Sequence, residues 1–175
     1  MSKMKEILKQ VEGDVLGIGL TDSMRDHLRK NKKITDLAFL DNLEFSKKGK
    51  ITSSKKTKTI SIKKLRKVFK KNRVDYTVCN VDQIAKYLKY VVKDTIHFTK
   101  KEIYLYFDKN EELAQKLEKM YRRYHVEIKK TSGENVMYFQ IINQDKKKNK
   151  GKDLYYFWKD TFEEILEFVR AFLSY

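Results

Sequence analysis

Proline, cysteine and long apolar runs are what this chain of 175 residues lacks or nearly lacks. The absence of proline excludes catalytic motifs of the Asn-Pro-Pro or Asp-Pro-Pro type. A single cysteine, Cys79, excludes an internal disulfide and a cysteine-rich zinc site. No run of about 18 apolar residues occurs, so we expect no membrane-spanning helix. The first 13 residues mix charged with apolar side chains, unlike a secretion signal, and we expect a cytoplasmic protein.

Metal, acyl-transfer and phosphoryl-transfer sites find no support in the sequence. The three histidines, His27, His97 and His125, lie far apart, and none belongs to a helix-spaced pair of ligands. Neither a Gly-x-Ser-x-Gly motif nor a P-loop lysine pattern is present. We therefore predict no metal site and neither of these two reaction types.

Positive charge is concentrated in one segment. The formal net charge is +16, and residues 47–74 hold 13 of the 40 Lys and Arg but none of the 24 Asp and Glu. Such a block attracts polyanions, with RNA or DNA the first candidate. A solvated lysine-rich face is the alternative, since Phe69 is the segment's only aromatic residue for base stacking. The candidate contact residues are Lys55, Lys56, Lys63, Lys64, Arg66, Lys67, Lys70 and Lys71.

Apolar residues alternate between strand and helix spacing over the first 124 residues. Strands joined by helices of about ten or more residues form a parallel sheet. The predicted strands are 14–20, 34–40, 58–62, 74–80 and 102–107, and the predicted helices are 1–11, 23–31, 62–72, 81–93 and 110–124.

The pattern changes after residue 124. Extended runs at 125–130, 136–143 and 154–158 precede an amphipathic helix at 162–173. These runs predict antiparallel strands at the C-terminal edge of the sheet, whereas residues 45–57 are polar and predict a loop. Because the chain has the length of one domain and no recognisable linker, we expect a single α/β domain over residues 1–175.

A glycine turn and an acid at a strand end form the candidate ligand site. Gly17 and Gly19 end the first strand, Thr21 follows as a helix N-cap residue, and Asp41 ends the second strand. In an open parallel sheet, ligands bind beyond the carboxyl ends of the strands. Glycine lets the backbone approach a ligand, and an acid about 20 residues further on accepts hydrogen bonds from ribose hydroxyls. The pattern favours a nucleoside site; a tight turn that binds nothing is the alternative.

This order of elements resembles the class I S-adenosylmethionine-dependent methyltransferases. The first motif corresponds to residues 14–21 (DVLGIGLT), the second to residues 37–41 (LAFLD) and the fourth to residues 75–80 (DYTVCN). The resemblance covers most of the chain at the level of pattern. It implies a three-layer Rossmann-like domain with a mostly parallel central sheet and antiparallel strands at the C-terminal edge.

The resemblance also implies a cofactor, S-adenosylmethionine, and roles for the matching residues. Gly17 and Gly19 would flank its methionine and ribose portions, and Asp41 would hold the ribose hydroxyls. Thr21 stands where the family has a third glycine. Asn80 would contact the substrate or the amino group of the cofactor.

Catalytic residues are harder to predict than binding residues. Asp75 and Asn80 are the weak candidates, and no general base is identified. Cys79 alternates into the interior of a strand, so we expect a buried, unreactive thiol. The same glycine turn also resembles dinucleotide-binding folds, but there the third glycine position falls on Asp22, whose charge would repel a phosphate.

The sequence therefore leaves three function classes open. The first is a methyltransferase or close relative, with nucleic acid as a possible substrate. The second is a non-catalytic Rossmann-like protein that binds nucleic acid or another anionic partner through residues 47–74. The third is an oligomeric structural protein that assembles through its aromatic C-terminal run.

Overall fold

The computed structural model describes residues 2–41, 48–53, 57–61, 74–124, 126–142 and residue 162. Helices and strands alternate through most of this part of the chain. In chain order the elements are α1 (Ser2–Gln10), β1 (Gly13–Ile18), α2 (Asp22–Lys30), β2 (Ile34–Asp41), β3 (Lys48–Ser53), β4 (Thr57–Ser61), β5 (Val74–Asn80), a 3-10 helix (Asp82–Tyr87), α3 (Leu88–Phe98), β6 (Thr99–Asp108), α4 (Glu111–Arg122), β7 (Glu127–Ser132) and β8 (Val136–Ile142).

The strands form one sheet in the order β4-β3-β2-β1-β5-β6-β8-β7. At its centre, β1 is parallel to both β2 and β5, and β5 is parallel to β6. β3 and β4 add antiparallel strands on one side, and β8 and β7 do so on the other. The predicted α/β fold with a parallel centre and antiparallel strands at the C-terminal edge is confirmed.

Helices cover both faces of the sheet and give the domain its three layers. Leu8 of α1 and Leu28 of α2 are buried in the core on one face. Ile84 of the 3-10 helix and Leu117 of α4 are buried in the core on the other. Each side chain of this size contributes about 1.5–3 kcal/mol by its burial. Because successive strand residues face opposite sides, the strands at the centre of the sheet supply apolar side chains to both cores.

β3, at Lys48–Ser53, corrects the prediction of a loop at residues 45–57, whereas β4 confirms the strand predicted at residues 58–62; the two strands form a hairpin. The hairpin pairs with β2, so antiparallel strands stand at both edges of the sheet. Lysine, serine and threonine dominate this stretch and hide the period of two that marks a strand. Pairing with a neighbouring strand, rather than an apolar face visible in the sequence, defines β3.

The helix predicted at residues 81–93 begins as a 3-10 helix and continues as α3 to Phe98. Its start is tied to the sheet, because the Val81 amide donates to the carbonyl of Tyr106 at 2.9 Å. The predicted helix 62–72, the extended run 154–158 and the helix 162–173, except residue 162, lie outside the described residues. Within the part of the chain that the structure describes, no helix is long and apolar enough to cross a membrane.

Asn31 joins the ends of the two helices on the first face. Its side-chain nitrogen donates to the carbonyls of Leu8 at 3.0 Å and Val11 at 2.8 Å. Its side-chain oxygen accepts from the Lys33 amide at 3.0 Å, just before β2 begins. One side chain therefore fixes α1 against the end of α2 and the entry to β2.

Replacing Asn31 by alanine should lower the free energy of unfolding by about 1–3 kcal/mol, because two partly buried carbonyls lose their donor. Urea denaturation of Asn31→Ala beside Lys32→Ala measures this, since Lys32 is exposed and should change stability by less than about 0.5 kcal/mol. Equal stability of the two variants would contradict the role assigned to Asn31.

Candidate functional site

The carboxyl ends of β2, β1 and β5 lie side by side. Ile18 at the end of β1 pairs with Leu40 of β2, and the Gly19 amide donates to the Leu40 carbonyl at 3.0 Å. Gly19 is thereby held beside the end of β2, where Asp41 is the last residue. On the other side, the Asn80 carbonyl lies 3.6 Å from the place that a Cβ on Gly19 would occupy. The structure thus brings the backbones of three predicted site residues to one edge of the sheet.

Gly19 adopts a conformation that other residues rarely take. Its φ is +60°, in the left-handed region. A Cβ at this position would lie 2.7 Å from the Cβ of Gln83, which is the second residue of the 3-10 helix after β5. Both the backbone angle and the close approach of Gln83 therefore require glycine here.

The strand order reverses at β1. From β1 the chain moves outward to β2 through α2, on one face, and from β5 it moves to β6 through the 3-10 helix and α3, on the other face. The two connections diverge at the ends of β1 and β5, the arrangement that forms a crevice at the carboxyl ends of the strands in open α/β sheets. In open α/β sheets this switch point is where ligands bind.

Thr21 lies at the start of α2, where the first N–H groups of the helix have no partner within the helix. The backbone of Thr21 is extended, and the residue is exposed. Its side chain makes no capping hydrogen bond to the helix. The carbonyl of Leu20 accepts a hydrogen bond at 3.0 Å from the Nε of Arg25, whose guanidinium lies over the Phe39 ring. These contacts fix the turn from β1 into α2 while the helix N-terminus faces the carboxyl edge of the sheet.

Acidic groups surround the end of β5. Asn80 is buried, and its Oδ1 accepts a hydrogen bond from the Asp82 amide at 3.1 Å. The Asp82 carboxylate in turn accepts from the Asp108 amide at 2.9 Å. Burial, and secondarily the charge of Asp108, raise the pKa of Asp82 above its ordinary value. With the exposed Asp22 at the start of α2, three described carboxylates lie at this edge.

Gly17 lies inside β1 and is buried, so it does not border the crevice as predicted. A Cβ there would lie 2.7 Å from the Cδ1 of Leu20 and 2.8 Å from the Cδ1 of Phe39. The space that the missing side chain leaves is used by core packing. Gly17 therefore has a packing role.

Asp75 lies at the amino end of β5, at the opposite edge of the sheet from Asn80. Its Oδ2 accepts from the Asp14 amide at 3.0 Å, and its Oδ1 lies 3.4 Å from the Lys100 ammonium. Burial by itself raises the pKa of Asp75, but the Asp14 amide and the Lys100 charge outweigh it and lower the pKa. These contacts tie β1, β5 and β6 together, and the placement gives Asp75 a structural role rather than contact with a ligand at the carboxyl edge.

Cys79 is fully buried, as the strand pattern predicts. Burial raises the pKa of its thiol far above the ordinary value, and the charge of Asp82 adds to the rise. Because the thiolate is the nucleophilic form, the thiol is unreactive in the folded protein.

The eight candidate basic residues between Lys55 and Lys71 all lie outside the described residues. Most of the described part of the basic segment is the β3–β4 hairpin. In the register of β3 against β2, the backbone of Lys50 lies opposite that of Asp41. Among the residues that the structure describes, no group of His, Cys, Asp and Glu is placed to hold a metal ion.

Four residues at the carboxyl edge were not predicted from the sequence: Asp82, Gln83, Tyr106 and Asp108. Asp82 and Gln83 follow Asn80 closely in the chain, and a polar stretch after a buried strand is a signal for them. Tyr106 lies within the continuously buried run 103–107 of β6 and looks like an ordinary core aromatic. Only the pairing of Asn80 with Tyr106 across β5 and β6 reveals its place beside the site.

No family model matches the chain, and no curated protein matches it. Solved structures similar to it include a release-factor-specific protein-(glutamine-N5) methyltransferase from Alicyclobacillus acidocaldarius, with 9% identity, coverage of 79% of this chain and 87% of that chain, and a TM-score of 0.48. A precorrin-6y C5,15-methyltransferase from Geobacter metallireducens is also similar, with 9% identity, coverage of 80% of this chain and 87% of that chain, and a TM-score of 0.46. A putative RNA methyltransferase from Pyrococcus horikoshii has 12% identity, coverage of 81% of this chain and 80% of that chain, and a TM-score of 0.42. At these TM-scores and identities the likeness carries no inference about the activity of this chain.

Replacing Gly19 by alanine should cost at least about 1–2 kcal/mol of stability, because the left-handed angle is unfavourable for any residue with a Cβ and Gln83 must also move. Gly133→Ala is the control, since this turn glycine is exposed and outside the left-handed region; its added Cβ would lie 3.2 Å from the Val136 carbonyl oxygen, so a smaller loss of stability than at Gly19 is expected. Thermal and urea denaturation of both variants measure the difference. A Gly19→Ala variant no less stable than the control would contradict the assigned conformation.

Proposed function

We propose that the protein is an S-adenosylmethionine-dependent methyltransferase whose cofactor site is the crevice at the ends of β2, β1 and β5. The proposal rests on one observation: Gly19, in a left-handed conformation, is hydrogen-bonded to the end of β2 and abuts the end of β5. This arrangement holds the turn after β1, the strand-end acid Asp41 and the polar Asn80 together at the switch point of a parallel sheet.

The charge of the crevice favours a cationic ligand without phosphate. Asp22, Asp82 and Asp108 lie at this edge, and a nucleotide phosphate would be repelled by them. S-adenosylmethionine combines a nucleoside with a positively charged sulfonium and carries no phosphate. The acids therefore favour this cofactor over a dinucleotide.

Each predicted binding residue has a chemical role in this proposal. Asp41 accepts hydrogen bonds from the ribose hydroxyls, and Gly19 makes the left-handed turn that places the cofactor-facing end of β1 beside Asp41. Thr21 and Asn80 flank the amino-acid end of the ligand. When bound, the cofactor supplies an electrophilic methyl group; the protein contributes by holding the acceptor in line with it and excluding water.

Replacing Asp41 by alanine should weaken the binding of S-adenosylhomocysteine by about 10- to 100-fold, because hydrogen bonds to a charged acceptor contribute about 1.5–3 kcal/mol. Isothermal titration of the wild type, Asp41→Ala and Asp36→Ala measures this. Asp36 is on the same strand, near its amino end, and its replacement should leave the affinity unchanged. Absence of binding by the wild type at millimolar ligand would remove the methyltransferase proposal.

We further propose nucleic acid as the substrate class. The β3–β4 hairpin carries Lys48, Lys50 and Lys58 and no acidic residue. Because β3 runs antiparallel to β2 with Lys50 opposite Asp41, its first residues lie at the carboxyl edge, next to the proposed cofactor site. A polyanion that binds this hairpin would reach the methyl donor, and Lys55, Lys56, Lys63, Lys64, Arg66, Lys67, Lys70 and Lys71 remain the candidates for further phosphate binding.

Binding of a single-stranded RNA oligonucleotide should weaken steeply with salt, because each phosphate that a lysine neutralises adds about −0.7 to the slope of log affinity against log salt concentration. The variant Lys48→Ala/Lys50→Ala should make this slope shallower, whereas Lys32→Ala/Lys33→Ala, of equal charge but before β2, should not. Equal effects of the two pairs would contradict RNA binding by the hairpin. RNA binding without any binding of S-adenosylhomocysteine would favour the non-catalytic alternative.

A further inference from the structure

Tyr106 lies at the meeting point of the strands that form the proposed site. On β6 it is paired with Asn80 of β5 on one side and with Tyr138 of β8 on the other. Its side chain is only 7% exposed and belongs to the core that includes Leu20, at the turn from β1 into α2. The aromatic ring is therefore fixed by packing, close to the switch point.

The hydroxyl of Tyr106 is buried and has no hydrogen-bond partner in the part of the chain that the structure describes. Tyr104, two residues earlier on the same strand, has a buried ring whose hydroxyl donates to the carboxylate of Glu102. A buried polar group without a partner is costly, and native proteins rarely keep one without a reason. Phenylalanine would fill the same space without that cost.

Two donors and one acid lie around the Tyr106 hydroxyl. Burial raises the pKa of Tyr106 and the charge of Asp82 adds to the rise, while the Asn80 side chain and the Thr21 amide oppose it. Neither of them completes a hydrogen bond with the tyrosine oxygen. The Oδ1 of Asn80 accepts a hydrogen bond from the Asp82 amide. The other polar atom of the Asn80 side chain is therefore its Nδ2, which is a donor. The tyrosine hydroxyl thus has two donors near it, and in the described part of the chain no acceptor lies within hydrogen-bond distance of it.

We propose that Tyr106 is a ligand-binding residue whose hydroxyl donates a hydrogen bond to a carboxylate oxygen of the ligand in the crevice between β1 and β5. The proposal rests on the proposed function, in which that carboxylate belongs to the amino-acid end of S-adenosylmethionine. The Thr21 amide, at the N-terminus of a nine-residue helix, supplies a second donor for the same negative charge.

An amino-acid group fits this position better than a phosphate does. It carries one carboxylate for the donors and one ammonium that the nearby acids tolerate. The donors Tyr106 and Thr21 and the acid Asp82 therefore suit a zwitterion, whereas a doubly charged phosphate would gain the donors and be repelled by Asp82.

The experiment compares Tyr106→Phe with Tyr104→Phe, which are chemically identical changes two residues apart. Isothermal titration uses S-adenosylhomocysteine and its decarboxylated analogue, which keeps the nucleoside, sulfur and amine. Thermal denaturation without ligand is the second readout. Tyr106→Phe should weaken S-adenosylhomocysteine binding by about 10-fold or more, leave the affinity for the decarboxylated analogue unchanged, and leave the melting temperature unchanged or raised.

Tyr104→Phe should show the reverse pattern, with a lower melting temperature and unchanged affinity for both ligands, because it removes a hydroxyl that already has a partner. If the wild type binds S-adenosylhomocysteine and Tyr106→Phe binds it equally well, the assignment of Tyr106 is overturned while the proposed function stands. The same holds if Tyr106→Phe loses affinity for both ligands equally. If the wild type binds neither ligand, both proposals are overturned.

Discussion

The pairing of β1 with two parallel neighbours is the constraint on which the rest of the structure depends. It aligns the carboxyl ends of β2, β1 and β5, and the hydrogen bond from Gly19 to Leu40 extends this alignment one residue beyond the strand. A slip of one residue would exchange Val15 and Leu16 between the two cores and move Gly19 away from Asp41. Core packing on both faces therefore fixes the geometry of the site.

The two edges of the central sheet differ in their polar groups. At the amino edge, charges are paired across elements: Asp75 with Lys100, and Glu12 with Lys101. At the carboxyl edge, the Asp82 carboxylate accepts a backbone hydrogen bond from Asp108 and has no such cross-strand cation partner among the described residues. The amino edge thus holds strands together through ion pairs, while the carboxyl edge uses hydrogen bonds to the backbone.

Much of the central architecture could be predicted from the sequence, because strong apolar periods mark β1, β2, β5 and the flanking helices. Local spacing also located Gly19 and Asp41, since the turn and the strand end are set within a few residues. Residues 45–57 could not be predicted, because β3 owes its strand conformation to pairing with β2. That Asp75 lies away from the candidate site could not be predicted either, because this depends on which end of β5 faces the site. The position of Tyr106 beside the site depends on its pairing with Asn80, which is 26 residues away in the chain.

Among the described strands, β4 and β7 stand at the two ends of the sheet, and this bears on how the protein behaves at high concentration. A strand at such an end can offer its backbone to strands of other molecules, which is a route to aggregation. On β7 the exposed Lys129 and Lys130 form ion pairs with Glu127 at 3.5 Å and Glu111 at 3.0 Å. Pairing β7 with a strand of another molecule would take these charged groups out of water. The charged side chains therefore discourage self-association through β7.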